Sequence, residues 1–384
     1  MTRPLRLLLA ASLAALVGVA DGPAAAAPAA AASPAAKTVP KAPPKASGKG
    51  ADNRVMIFFD NDFLGPGQSN IQSMIPLLRD PRVNLLGVSV VTGDAWMTEE
   101  TAHLLRFLEI AGRPDVPVYK GSPMPLLRTQ AEMANWEARF GRIPFKGAWN
   151  APRPGRTYHP DEPDLIPPLP EGTPTIKPRH EGAVEALVAA VRAHPGQVTI
   201  VAAGPLTNIA LALRVAPDIA QLAKEIVIEP GKLDTAFART TSNTDYSTDF
   251  NFLFDPEAAH IVLTAPWKAI TLVGNVSSSV RASPEVIAKI AASPSPVARY
   301  FKTYARTGQP LWDEITVALA IDRSLVTQDL TVRMDVDTMP GMHYGEPQVW
   351  PEETAPRTGV RQVHLVRAID ADRFLSGFVG QARQ

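Results

Sequence analysis

Four polar clusters hold the residues whose types and spacing suit chemistry. The first is Asp60-Asn61-Asp62, two carboxylates at i and i+2 directly after Val55-Met-Ile-Phe-Phe59. Carboxylates that close repel unless something positive lies between them, and a hard cation with oxygen ligands supplies it. The same pair would also serve a covalent aspartyl-phosphate nucleophile, or simply cap a helix. The second cluster is Ala203-Gly-Pro-Leu-Thr-Asn208, and the third is Asp249-Phe-Asn251 followed by Phe254-Asp-Pro-Glu-Ala-Ala259. The fourth is Pro310-Leu-Trp-Asp313, opening the run Ile315 to Ile321. Each alone is compatible with a turn, a cap or a helix start.

The elements that must position these clusters alternate. Val55–Phe59, Leu85–Val91, Val198–Ala202, Glu225–Ile228 and Ile270–Val273 are short continuous apolar runs, suited to strands covered on both faces. Between them, Asn70 to Leu78 (with Ser69 as its N-cap and Pro76 in its last turn), Thr98 to Ala111, Glu181 to Ala193 and Asn208 to Leu213 read as helices. Alternation of this kind predicts an α/β fold, an open and mostly parallel sheet flanked by helices. In such sheets ligands sit beyond the carboxyl ends of the strands, which places all four clusters on one rim. From Gly121 to Arg179 prolines are frequent and periodicity is weak, so this stretch reads as an irregular insertion or flap carrying Trp136 and Trp149.

Bulk properties narrow the function. The 384 residues carry 38 basic and 38 acidic side chains, and no Lys/Arg-rich block that would favour nucleic acid. Arg3 and Arg6 precede the apolar stretch Leu7 to Ala20, and small residues follow at Ala24 to Ala27. Residues 1–27 therefore read as a signal peptide, implying a periplasmic or secreted protein with no stable membrane span once the signal is removed. Residues 28–52, mostly Ala, Pro, Lys and Ser, read as a disordered linker. The folded domain is expected over 53–384. Export without a single cysteine means that the fold rests on its core rather than on disulfides.

Taken together, in this order and at these spacings, the clusters resemble the nucleoside hydrolase family, the inosine–uridine-preferring N-ribohydrolases and their relatives. The resemblance covers nearly all of residues 54 to 380 and extends to connecting text such as Arg113-Pro-Asp-Val-Pro-Val-Tyr119 and Gly204-Pro-Leu-Thr-Asn-Ile-Ala-Leu-Ala212. It implies a Ca2+-dependent enzyme that hydrolyses the N-glycosidic bond of ribonucleosides to ribose and free base. By position, Asp62 would bind calcium and help activate the attacking water, with Asp60 beside it. Thr207 would contribute its backbone carbonyl and Asp313 a carboxylate. Asn243, Asp249 and Asn251 fall where the family binds ribose hydroxyls, although Asp249 is Glu in the usual pattern. Asp94 sits where Asn is usual. Trp312 stands where many members have His, and the purine-specific branch has Trp there, stacking on the base with a second Trp from a mobile loop. Trp136 or Trp149 would be that partner. The partner implied is a small nucleoside or related glycoside, in a chain compatible with a homo-oligomer.

One motif departs from the pattern. The family's first motif runs Asp-x-Asp-Pro-Gly-x-Asp-Asp, whereas Asp62 here is followed by Phe-Leu-Gly-Pro-Gly-Gln-Ser69-Asn70. Ser69 and Asn70 fall at the last two aspartates, one of which chelates calcium while the other grips ribose. Asn70 offers the metal one neutral oxygen and Ser69 offers the sugar one hydroxyl. Loss of a carboxylate ligand weakens metal binding, so a catalytically impaired sugar- or nucleoside-binding module on the same fold is the alternative. A phosphatase of the haloacid dehalogenase type accounts for Asp60 but not for the Thr207 and Asp313 segments.

Overall fold

In the computed structural model the apolar runs form β1 (Val55–Asn61), β2 (Val83–Val90), β3 (Val118–Lys120), β4 (Val198–Ala202), β5 (Glu225–Ile228) and β6 (Ile270–Leu272). Three further strands, β7 (Val326–Val336), β8 (Pro347–Trp350) and β9 (Arg361–Ile369), complete one nine-stranded sheet ordered β3-β2-β1-β4-β5-β6-β9-β7-β8. Every pairing from β3 to β9 is parallel, and β7 and β8 close the edge antiparallel. The sheet is thus mostly parallel and open, as its alternation predicts. The structure describes residues 53–152, 158–233 and 249–384, all within the compact unit Asp52–Gln384. The expected signal and linker, and Asn243, lie outside the described residues. Among the described residues no helix is long and apolar enough to cross a membrane.

Helices cover both faces: α1 (Ser69–Gln72), α2 (Met74–Arg79), α3 (Met97–Ile110), α4 (Gln130–Phe140), α5 (Ala183–Ala193), α6 (Thr207–Val215), α7 (Ile219–Leu222), α8 (Phe250–Phe254), α9 (Pro256–Thr264), α10 (Pro284–Ala291), α11 (Pro296–Tyr304), α12 (Trp312–Ile321) and α13 (Ala371–Ala382). Side chains alternate along β1, as strand geometry requires. Ile57 and Phe59 join the layer formed with α2, α3, α12 and α13, whereas Phe58 joins the layer under α5, α6 and α9. That alternation continues into the polar end of the strand and sends Asp60 and Asn61 to opposite sides.

The order reverses at β1, which lies between β2 and β4 while the chain runs first to β2 and β3 and only then to β4. Such a switch point opens a crevice beyond the strand ends, where doubly wound sheets bind ligands.

Three expectations are corrected. Asp60 and Asn61 are not a turn but the last two residues of β1, with Asp60 in register with Ser89 and Ala202. The helix expected over Asn70–Leu78 is two short helices broken at Ser73, whose hydroxyl donates to the Asn70 carbonyl at 2.5 Å. Its N-cap is Gln68, and the Ser69 hydroxyl serves other partners. The stretch Gly121–Arg179 contains α4, held by a reciprocal capping box between Thr129 and Glu132. Of that helix only Met133 is buried, so its sequence lacks the apolar stripe that would mark it.

Candidate active site

The acidic strand end is fully enclosed: Asp60, Asn61 and Asp62 are each 1% exposed or less. Asp60 accepts from the Ser89 hydroxyl and, at 2.7 Å, from the Asn208 amide of α6. Burial pushes its carboxyl up to about 7 against the pull of those two hydrogen bonds. Its Oδ2 has no hydrogen-bond partner. On the opposite side, Asn61 donates to Asp313 Oδ2 at 2.9 Å, and its own Oδ1 is unpartnered. Asp62 projects beyond the strand, accepting from Asn70 Nδ2 at 3.0 Å and from the Asp94 backbone N–H at 2.8 Å. Glycines make room for it. A Cβ on Gly93 would lie 2.1 Å from Asp62 Oδ2, and one on Gly204 would lie 2.9 Å from Oδ1.

Two segments distant in sequence meet this end through α12. Ser69 donates to Glu314 at 2.5 Å and accepts the Asp313 backbone N–H at 3.0 Å, so it ties α1 to the first turn of α12. It is a brace inside the protein and does not line the cavity. Burial raises Glu314 to about 8, opposed by the Ser69 hydrogen bond. Asp313 is raised well above the carboxylate range by burial and by the neighbouring Glu229 and Glu314 charges. Asp62 is raised by burial and then by Asp94 and Asp313.

Glu229 directly follows β5, and its N–H extends the ladder to the Ala202 carbonyl at 2.9 Å. Gly231 adopts a φ of 113°, open to glycine but strained for other residues, and the turn it makes brings Lys232 back over Glu229. Lys232 Nζ lies 2.8 Å from Glu229 and 3.6 Å from Asp249, and 6.0 Å from the centre of the Trp312 ring. Burial lowers its proton affinity, yet the Glu229 and Asp249 charges outweigh burial and hold it protonated. Glu229 also accepts from the Ser277 hydroxyl at 2.7 Å. Asp249 caps α8 through the Phe252 N–H at 3.1 Å and accepts the Lys232 N–H at 3.1 Å, which commits both of its oxygens.

Asp62, Asn70, Asp94, Asn251, Trp312 and Asp313 share one cavity with Glu229, Lys232 and Phe250. It encloses about 40 Å3, room for an ion or a water, and reaches about 420 Å3 with its open mouth included. A larger cavity of about 470 Å3 lies on the other side of the loops after β1 and β2, walled by Leu64, Ala95, His103 and the prolines 167, 168 and 170. Size alone would favour the second, but the carboxylates and amides converge on the first. Thr207 opens α6 with its hydroxyl committed to Asp255 at 2.6 Å. Trp312 anchors its indole N–H on Ser278 at 2.8 Å. Neither flap tryptophan faces it across the cavity. Trp149 is buried against Phe254, with ring centres 4.6 Å apart, and Trp136 donates to the Gly341 carbonyl at 2.7 Å. The aromatic ring that does line the cavity beside Trp312 is Phe250.

Glu229, Lys232, Phe250 and Glu314 are absent from the set expected from sequence. Glu229 bears the same mark as Asp60, an acidic residue that comes directly after an apolar run. Lys232 bears none, because only the Gly231 turn brings it to the cavity.

The lining suits a hard divalent cation: Asp62 and Asp313 share the cavity, and burial and then the Asp94 and Asp313 charges raise the proton affinity of Asp62, whereas Asp60, expected as a ligand, does not line it. Among the described residues no three His, Cys, Asp or Glu side chains cage an ion by themselves. A cation here therefore needs amide, main-chain and water oxygens besides Asp62 and Asp313. Asn70 presents its N–H to Asp62 and becomes a ligand only with its amide turned over.

Residues 57–376 match the pattern of the inosine-uridine preferring nucleoside hydrolase family. An uncharacterized protein of Schizosaccharomyces pombe is 30% identical over 333 residues, covering 83% of this chain and 96% of its own. The pyrimidine-specific ribonucleoside hydrolase RihB of Escherichia coli is 27% identical, over 72% of this chain and 82% of its own. The structure of a purine-preferring ribonucleoside hydrolase from Gardnerella vaginalis superposes with a TM-score of 0.65 at 22% identity, covering 85% of this chain and 99% of that one. The chain belongs to the inosine-uridine preferring nucleoside hydrolase family, whose members are N-glycosyl hydrolases.

Proposed function

We propose that the protein hydrolyses the N-glycosidic bond of ribonucleosides, purine nucleosides before pyrimidine ones, with calcium held at Asp60, Asp62, Asn70, Asp313 and the Thr207 main chain. The observation that carries this is the meeting of Asp62 and Asp313, 251 positions apart, in one cavity with Asn251 and Trp312. A calcium ion held there would offset the carboxylate repulsion and would supply Lewis acidity to an attacking water. Asp62, which lines the cavity at the end of β1, is the carboxylate suited to accept a proton from the attacking water. As the base departs, positive charge develops on the sugar, and the Asp62 and Asp313 carboxylates that line the cavity stabilise it. Trp312 and Phe250 offer apolar faces to the base, and a larger ring gains more from them.

Relatives of both preferences exist, so the test is a panel. Inosine, guanosine, adenosine and uridine are incubated with the protein and calcium, and free base is followed chromatographically. Base release faster from the purine nucleosides is expected, lost in Asp62→Asn. No release from any of the four, with ribose still bound, supports the impaired binding module instead, a reading favoured by the Asn70 N–H that already occupies Asp62.

Residues 1–27 carry a second proposal, export to the periplasm or medium. Fractionation with mass measurement of the mature chain tests it, the expected product lacking the signal. A full-length chain in the cytosol contradicts it.

A further inference from the structure

We infer that Glu229, paired with Asn251 and held by Lys232, is the sugar-hydroxyl acceptor of this cavity, while Asp249 is a structural cap. The inference rests on the nucleoside reading above and names the group that grips the sugar.

The geometry separates the two carboxylates. Asp249 is 1% exposed, spends one oxygen on the α8 N-terminus and the other on the Lys232 main chain, and does not line the cavity. Glu229 does line it. Its Oε1 takes both strong donors, Lys232 Nζ at 2.8 Å and Ser277 Oγ at 2.7 Å. Among the described residues its Oε2 has only the Asn251 amide at 3.4 Å, a contact long enough to leave acceptor capacity. Beside it, Asn251 donates through Nδ2 to the Ala203 carbonyl at 3.1 Å, which fixes the amide's orientation, and its buried Oδ1 has no partner among the described residues. Two neighbouring acceptors with spare capacity, one charged and one neutral, call for a ligand with neighbouring donors. A polyol supplies these as adjacent hydroxyls.

Lys232 explains how a carboxylate can serve here. A further buried negative charge next to Asp62 and Asp313 would otherwise take up a proton and become a donor. Burial still raises Glu229, but the ammonium at 2.8 Å opposes burial and fixes which oxygen remains for the ligand. Ser277 fixes the carboxylate plane from the other side. A shorter carboxylate on α8 cannot do the same, since Asp249 is already enclosed by the backbone it caps.

The test is ribose binding by titration calorimetry with calcium present, for wild type, Glu229→Gln and Asp249→Asn, with circular dichroism as the folding control. Binding is read without turnover, so hydrolysis and sugar recognition are judged separately. Ribose affinity is expected to fall at least tenfold in Glu229→Gln, and KM for inosine to rise more than kcat falls. Asp249→Asn is expected to lower Tm and to weaken ribose less than Glu229→Gln does. Should Glu229→Gln prove unfolded, Ser277→Ala, which frees the carboxylate plane, is expected to weaken ribose severalfold with the fold kept. Ribose affinity within twofold of wild type in Glu229→Gln, or no ribose binding by wild type, overturns the inference. Absence of base release alongside tight, Glu229-dependent ribose binding supports it and removes only the hydrolase reading.

Discussion

Gly93 and Asp62 are fitted to each other so closely that a methyl group on the glycine would stand 2.1 Å from the aspartate's Oδ2. Asp62 follows β1 and Gly93 follows β2, so this contact fixes the separation of two strand ends as well as the carboxylate. Gly93→Ala should therefore displace Asp62 rather than unfold the sheet. A shift near 1 Å at a reacting group costs about 100-fold in rate. A kcat for nucleoside cleavage within threefold of wild type would show that Asp62 need not sit where Gly93 holds it.

Ser69 braces α1 against the first turn of α12. Ser69→Ala removes the hydroxyl that meets both Glu314 and the Asp313 N–H. Leaving a buried polar group without its partner costs about 1–3 kcal/mol. Urea unfolding should show a loss of that size, part of it recovered in the double variant Ser69→Ala, Glu314→Leu, where the Glu314 carboxyl that Ser69 satisfied is gone. No recovery in the double variant would mean that the brace is not what Ser69 contributes.

Much of the fold and part of the site were legible in the sequence, and the division has physical causes. β1, β2 and β4 are covered on both faces, so their apolar runs stand out. The sheet's far edge was not legible, because β7 begins with half-exposed and exposed residues from Val326 to Thr331. Asp62, Asn70, Asp94, Asn251, Trp312 and Asp313 share the cavity because each follows a strand or opens a helix on the same rim. Asp249 and Thr207 carry the same sequence mark, yet their side chains cap and brace. Strand position reveals which rim a residue occupies, not which way its side chain turns. Trp136 and Trp149 went to the packing of α4 and the following turn, a matter of tertiary contacts that spacing does not encode.

Trp312 offers a separable test of base recognition. Stacking on a base contributes about 1–3 kcal/mol in nucleic-acid proteins. Trp312→Ala should raise KM for inosine by roughly 5- to 150-fold and leave ribose binding nearly unchanged. Equal loss for inosine and free ribose would place Trp312 in the framework rather than against the base.

The buried His103 links pH to stability. Burial would lower its pKa, but the hydrogen bonds to Glu171 and Glu99 outweigh burial and raise it above the ordinary 6.5. Glu171 belongs to the proline-rich segment, so the imidazolium pins that segment to α3. A raised pKa stabilises the fold fully below pH 6.5 and loses that contribution as pH rises through the folded-state value. Tm should fall from pH 6 to pH 9 in wild type, and the fall should be shallower in His103→Gln. Parallel curves for the two proteins would exclude His103 as its source.

The most direct test of the account is hypoxanthine release from inosine, measured for wild type and Asp62→Asn with calcium in excess, and for wild type with a chelator. Release is predicted for wild type in calcium, with a drop of at least about 100-fold in the variant and under chelation. Equal release under all three conditions, or none from wild type in calcium, would contradict a metal-assisted cleavage site centred on Asp62.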